Sequence, residues 1–155
     1  MKTKGILNPE LSKLVAEMGH GDILLIADRG IPFPQHTRTT CIDLSVSRNL
    51  PMVADVLKVV LEELEVESVI ISNETKQVSP QVYKNFKDIL AKKKNKGKDI
   101  AEDNIPHIDF KNLFLTGKTV DEKAIDLVGR EVKGIVRTGE FTPFAYIMLV
   151  AGVDF

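Results

Sequence analysis

Ile23-Leu24-Leu25-Ile26-Ala27 is an apolar run with no polar break. A surface helix or a half-exposed strand carries polar positions at regular intervals. This run has none, so it is read as a strand covered on both faces. Gly19-His20-Gly21-Asp22 precedes it and Asp28-Arg29-Gly30-Ile31-Pro32-Phe33-Pro34 follows it. The first bracket reads as a helix end and a tight turn, since glycines on both sides of His20 allow positive φ at little cost. The second cannot be a regular element, because two prolines and a glycine forbid it. A histidine therefore stands before the strand and a carboxylate after it. They share a cleft only where the fold, or a neighbouring subunit, brings the two ends together.

Around this strand the chain alternates helices and strands. Asn8-Pro9-Glu10 is a helix start, with a cap residue, proline at the first position and an acid in the first turn. Leu11, Leu14, Val15 and Met18 give that helix one apolar stripe, and Gly19 fits its end. The pattern predicts a strand over Thr39–Val46, a helix from Pro51 to about Leu64, a strand over Ser68–Ser72 and a helix from Ser79-Pro80. The lysine-rich stretch Lys92–Lys98 ends that helix in solvent. Phe110–Leu115 reads as a strand, Thr119-Val120-Asp121-Glu122 as a capping box opening a helix to about Leu127, and Gly134–Arg137 and Ala145–Val150 as closing strands. The expected class is α/β, one layered sheet with flanking helices. At 155 residues the chain fits a single domain over 1–155.

Composition removes several functions. The net charge of −1 gives no signature of a nucleic-acid or membrane binder. Cys41 is the only cysteine, so no intrachain disulfide forms and a reducing compartment suits the chain. There is no membrane-length apolar run and no leader pattern, which makes the cytoplasm the expected setting. His20, His36 and His107 lack metal-ligand spacing, and neither a nucleophile elbow nor a phosphate loop is present. No metal and no cofactor are expected.

The remaining candidates each have two readings. His20 is a surface histidine in a turn, or an acid–base group titrating near neutral pH. Asp28 caps the loop that follows it, or holds sugar hydroxyls beyond a strand's carboxyl end. His107, in Ile105-Pro106-His107-Ile108-Asp109-Phe110, is a loop residue or a metal ligand, and the histidine spacing speaks against the second. Phe144 and Tyr146, in Thr138-Gly139-Glu140-Phe141-Thr142-Pro143-Phe144-Ala145-Tyr146, are packed aromatics or the wall of a pocket. The lysine run leaves a third class open, an anion- or nucleic-acid-binding module.

Several segments together resemble the RbsD/FucU family of D-ribose pyranases and L-fucose mutarotases. They are Gly5-Ile6-Leu7-Asn8, Ala16-Glu17-Met18-Gly19-His20-Gly21-Asp22, Ala27-Asp28 with Gly30-Ile31-Pro32, Arg137-Thr138-Gly139-Glu140-Phe141-Thr142-Pro143, and Ala151-Gly152-Val153-Asp154-Phe155. The resemblance implies an RbsD-like fold and a cofactor-free isomerase that interconverts cyclic forms of a free monosaccharide. It also implies a homo-oligomer, typically a decamer of two pentameric rings, with sites between subunits. His20 matches the family's catalytic histidine and Asp28 its sugar-binding aspartate. The family's Tyr-x-Asn reads Phe144-Ala145-Tyr146 here, which makes a sugar-binding protein without catalysis the alternative function. His107-Ile108-Asp109-Phe110-Lys111 resembles the family's His-x-x-Phe-Lys, whose histidine touches the sugar. The competing alignment keeps Phe110–Leu115 as a strand, reads Glu102-Asp103-Asn104 as a poor one, and leaves no histidine at the site.

Overall fold

The computed structural model describes residues 1–35, 38–95, 97–115 and 132–155. Its elements in order are α1 (Pro9–Ala16), β1 (Ile23–Ala27), β2 (Thr40–Asp43), α2 (Val53–Glu63), β3 (Val66–Ser72), α3 (Asn73–Val78), α4 (Pro80–Leu90), β4 (Lys94–Asn95), β5 (Lys98–Asp99), β6 (Ala101–Ile105), α5 (His107–Leu115), β7 (Val132–Arg137) and β8 (Ile147–Ala151). The capping-box helix expected from Thr119, and His36, lie outside the described residues.

Six strands form one sheet in the order β2-β7-β1-β8-β3-β6. Neighbouring strands run parallel except β8, which is antiparallel to both β1 and β3. The apolar run of β1 behaves as expected: every residue in it is fully buried, as is nearly all of β8. Leu24 and Ile26 face the layer built by α1, α2 and α4. Ile23, Leu25 and Ala27 face a second layer that contains Phe110 and Phe114 of α5. Both faces thus gain burial free energy of roughly 25 cal/mol per Å², and no position on β1 tolerates a polar side chain without a partner.

Two expectations are corrected. Phe110–Leu115 is not a strand but the body of α5. Its buried residues, Phe110, Leu113 and Phe114, recur at three and four positions, which is the stripe of a helix. Glu102-Asp103-Asn104, in contrast, does belong to a strand. β6 is a sheet edge, where charge is tolerated and discourages further pairing. Its polar side chains also have partners: Lys87 Nζ and Tyr83 Oη donate to Glu102 at 2.5 and 3.0 Å, and Asn104 Nδ2 donates to the Ile71 carbonyl at 3.2 Å. Part of the lysine-rich stretch folds back as the β4–β5 hairpin, across which Lys94 pairs with Asp99.

Gly139, just past β7, is pinned against the turn at Ser47–Leu50. Its N–H donates to the Pro51 carbonyl at 2.9 Å and its own carbonyl accepts from Asn49 N–H at 2.6 Å. A Cβ at this position sits 2.3 Å from the Ser47 carbonyl oxygen and 2.5 Å from that of Leu50. These are backbone atoms and cannot swing aside. Gly139→Ala is expected to destabilise the fold by about 3 kcal/mol, seen as a lower denaturation midpoint in urea.

Candidate functional site

The parallel strands β1, β3, β6 and β7 end on one edge of the sheet, and antiparallel β8 begins there. That edge gathers Asp28, His107, Phe144 and Tyr146. Ligands of open α/β sheets bind beyond such strand ends.

Asp28 follows β1 directly and is 9% exposed. Its Oδ1 accepts the Gly30 N–H at 2.8 Å. Burial pushes its carboxyl up to about 6, the nearby Glu140 carboxylate adds to this, and the backbone N–H groups of Gly30, Ala145 and Ile31 oppose it. The segment Thr138-Gly139-Glu140 locks this loop in place. Thr138 N–H and Oγ1 both donate to the Ala27 carbonyl, at 2.9 and 3.0 Å, and Arg29 N–H donates to the Glu140 carbonyl at 2.8 Å. Arg137 is held by Asp43, which accepts from its Nη2 at 2.7 Å, and it lies 4.1 Å above the Phe33 ring.

His107 opens α5. The Glu74 carboxylate caps the helix start there, accepting the His107 N–H at 2.7 Å. The imidazole stacks on Tyr146 at 5.7 Å and meets the Phe144 ring edge-on at 5.2 Å. His107 thus stands beside Phe144 and Tyr146, and the residues after it are helix rather than strand. Burial holds the imidazole below its usual value, with Lys111 adding to the effect and Glu74 opposing it.

Tyr146 is 1% exposed. Its phenol accepts from Ser72 Oγ at 3.2 Å and is hydrogen-bonded to His107 Nδ1. With Ser72 donating to the phenol, the phenol's own proton goes to Nδ1. The proton on His107 is then on Nε2. Burial raises the phenol well above its usual value, so it stays a donor at physiological pH. Tyr146→Phe leaves Nδ1 without this donor and is expected to cost about 1–2 kcal/mol of stability, measured by urea denaturation. Phe144 adopts φ +57°, an uncommon conformation for a bulky residue. The surroundings enforce it: Thr75 Oγ1 donates to the Phe144 carbonyl at 2.8 Å, and Ser79 Oγ to the Pro143 carbonyl at 2.5 Å.

His20 is elsewhere. It lies in the turn before β1, with Gly21 at φ +83° and the Gly21 N–H donating to the Ala151 carbonyl at 2.8 Å. The five residues of β1 separate it from Asp28, a span of roughly 13 Å for the strand alone. The imidazole is exposed, and its Nε2 lies 2.9 Å from Glu67 Oε2. Within one chain, then, the edge bearing Asp28 and His107 holds four of the candidates and the opposite edge holds the fifth. Ser72, Glu74, Thr75 and Glu67 escaped the sequence reading. The first three come from the end of β3 and from α3, a six-residue helix too short to show a period. Among the described residues, no group of three or more His, Cys, Asp or Glu side chains is arranged to hold a metal ion, and no helix is long and apolar enough to cross a membrane.

Comparison with known proteins gives three consistent results. The model of the RbsD / FucU transport protein family matches residues 1–154. D-ribose pyranases of Pseudothermotoga lettingae and Maridesulfovibrio salexigens are 39% and 40% identical to this chain over its whole length, covering 94% and 100% of theirs. The structure of Bacillus subtilis RbsD complexed with D-ribose superposes with a TM-score of 0.78 at 35% identity, with all of both chains covered.

Proposed function

The chain belongs to the RbsD/FucU family, and from that premise we propose that it is an isomerase interconverting the ring forms of a free aldose, D-ribose being the first candidate. The observation that carries this reading is the convergence of Asp28 and His107 at the strand ends, in a chain that matches D-ribose pyranases end to end. Those relatives are named as enzymes, which favours catalysis over sugar binding alone.

Opening a pyranose ring requires a proton on the ring oxygen and the loss of one from the anomeric hydroxyl. Closing through a different hydroxyl gives the furanose, and closing on the other face gives the other anomer. In the proposed site Asp28 accepts hydrogen bonds from sugar hydroxyls and His107 Nε2–H donates one. Phe144 and Tyr146 form the wall and floor, and His20 is the proton donor. His20 reaches the sugar from a neighbouring subunit, because its own chain keeps it at the far end of β1. The assembly proposed is a decamer of two pentameric rings with sites between subunits, working in the cytoplasm without a cofactor.

Saturation-transfer NMR on ribose, fucose and related aldoses tests the activity. Exchange between ring forms accelerated by the protein is the expected result. Spontaneous rates with every sugar would remove the enzyme reading.

A further inference from the structure

Ser72, Thr75, Ser79 and Tyr146 bring four hydroxyls to the edge that carries Asp28 and His107. All four residues are buried, Ser72 and Thr75 completely. Each hydroxyl is already bonded inside the chain. Ser72 Oγ meets Thr75 Oγ1 at 3.0 Å and the Tyr146 phenol at 3.2 Å. Thr75 Oγ1 donates to the Phe144 carbonyl at 2.8 Å, and Ser79 Oγ to the Pro143 carbonyl at 2.5 Å. The phenol's second partner is His107 Nδ1. At 1% exposure the phenol has no surface left for a ligand. Beside Asp28 and His107, then, these residues offer a sugar only the carbon face of Phe144. That ring is part-buried, meets His107 at 5.2 Å and Tyr146 at 6.3 Å, and is backed through Tyr146 by the Phe110 ring 4.4 Å from it. The Thr75 bond pins the Phe144 backbone, so this face of the wall is fixed.

Ring exchange makes its own demands on an aldopentose. C1 becomes the aldehyde as its bond to the ring oxygen breaks, O1 loses a proton and the ring oxygen gains one. O5 closes the pyranose and O4 the furanose. Only O2 and O3 take no part. A hydroxyl pressed against aromatic carbon loses its water and gains no partner, whereas a hydrogen in its place loses nothing. We propose that Phe144, over the closed floor of Tyr146, makes the site selective for a deoxy aldopentose, one that lacks the 2- or the 3-hydroxyl, over D-ribose. This rests on the reading of the edge as the sugar site of a ring-form isomerase. Asp28 and His107 hold the hydroxyls that remain. Phe144 moves no proton; it determines which sugar edge is accepted.

The test uses the assembled full-length protein. Saturation-transfer NMR compares D-ribose, 2-deoxy-D-ribose and 3-deoxy-D-ribose. Each kcat/KM is divided by that sugar's spontaneous exchange rate, because removing a hydroxyl alters ring opening by itself. One of the deoxy sugars is expected to exceed ribose by about 10- to 100-fold, the discrimination an apolar pocket makes against an added hydroxyl. Phe144→Tyr adds one hydroxyl to the wall and is expected to shrink that ratio about tenfold, chiefly through a lower KM for ribose, with Tm nearly unchanged. Ribose ahead of both deoxy sugars, or a ratio that Phe144→Tyr leaves as it was, would overturn the proposal and leave the isomerase reading standing. Spontaneous rates with all three sugars would remove that reading and the proposal with it. If Phe144→Tyr does not fold, the order of the three sugars in the native protein decides.

Discussion

His20→Ala is expected to reduce protein-catalysed ring exchange by about 10²- to 10⁴-fold, the usual share of a general acid–base group, while leaving the fold intact. The side chain is exposed and belongs to neither core layer. Its removal leaves no cavity and no buried orphan. The same assay separates loss of chemistry from loss of binding, because a variant that still broadens ribose signals binds without converting. A mixed assembly sharpens the result. If His20 and Asp28 act from different subunits, His20→Ala and Asp28→Asn chains assembled together form some sites with both groups intact, about one in four at random equimolar mixing. Recovery of activity on mixing two inactive variants is expected, and its absence would place both groups in one chain's site.

Asp28→Asn is expected to lose activity and gain stability together. The amide is nearly isosteric and keeps an oxygen for the Gly30 N–H. It cannot carry the charge that holds sugar hydroxyls, and a loss of about 100-fold in kcat/KM follows for a charged hydrogen-bond acceptor. The stability change follows from burial. In the folded chain the carboxyl titrates at about 6, above its ordinary value of 3.8. The folded state therefore binds more protons than the unfolded state between these values, and stability falls as pH rises through that window. Below 3.8 both states are protonated and no penalty exists. Above 6 the full penalty of an ionised buried group is present, on the order of 3 kcal/mol. Asp28→Asn removes this dependence. Urea denaturation at pH 7.5 is expected to show the variant more stable than the native protein, and the advantage is expected to vanish near pH 3.5. Equal stability at both pH values would mean that the carboxyl is better solvated than its 9% exposure implies.

The elements that were legible in the sequence are those whose side chains answer to one environment. β1 and β8 are buried on both faces and carry unbroken apolar runs, so their type and place could be read directly. α2 and α4 have one buried stripe each, and their proline or capping starts are visible. β6 was not legible because its side chains answer to particular partners. Glu102 looks like loop until Lys76, Lys87 and Tyr83 are placed around it, and those come from α3 and α4. α5 reads as a strand although Phe110, Leu113 and Phe114 carry a helical spacing, because a short apolar stretch fits either element. The site divides in the same way. Asp28 stands at the end of a readable strand. The placement of Phe144 and Tyr146 depends on Thr75 and Ser72, some seventy residues earlier, and nothing local announces that contact. His20 and Asp28 are close in sequence and far apart in the chain's fold, since an extended strand is the structure that separates its flanks most.

Asp28 and His20 at opposite ends of β1 make the subunit directional. Under the proposed assembly each chain is a donor of chemistry at one end and a holder of sugar at the other. Two antiparallel copies related by a twofold axis would complete two sites at once, each chain's histidine meeting the other's aspartate. The head-to-tail contacts of the proposed rings complete every site only when the last copy meets the first. A closed ring leaves neither half idle, whereas an open row always ends in one unused histidine and one unused pocket. Activity then belongs to closure, and selection for turnover is at the same time selection for a curvature that brings the ring shut.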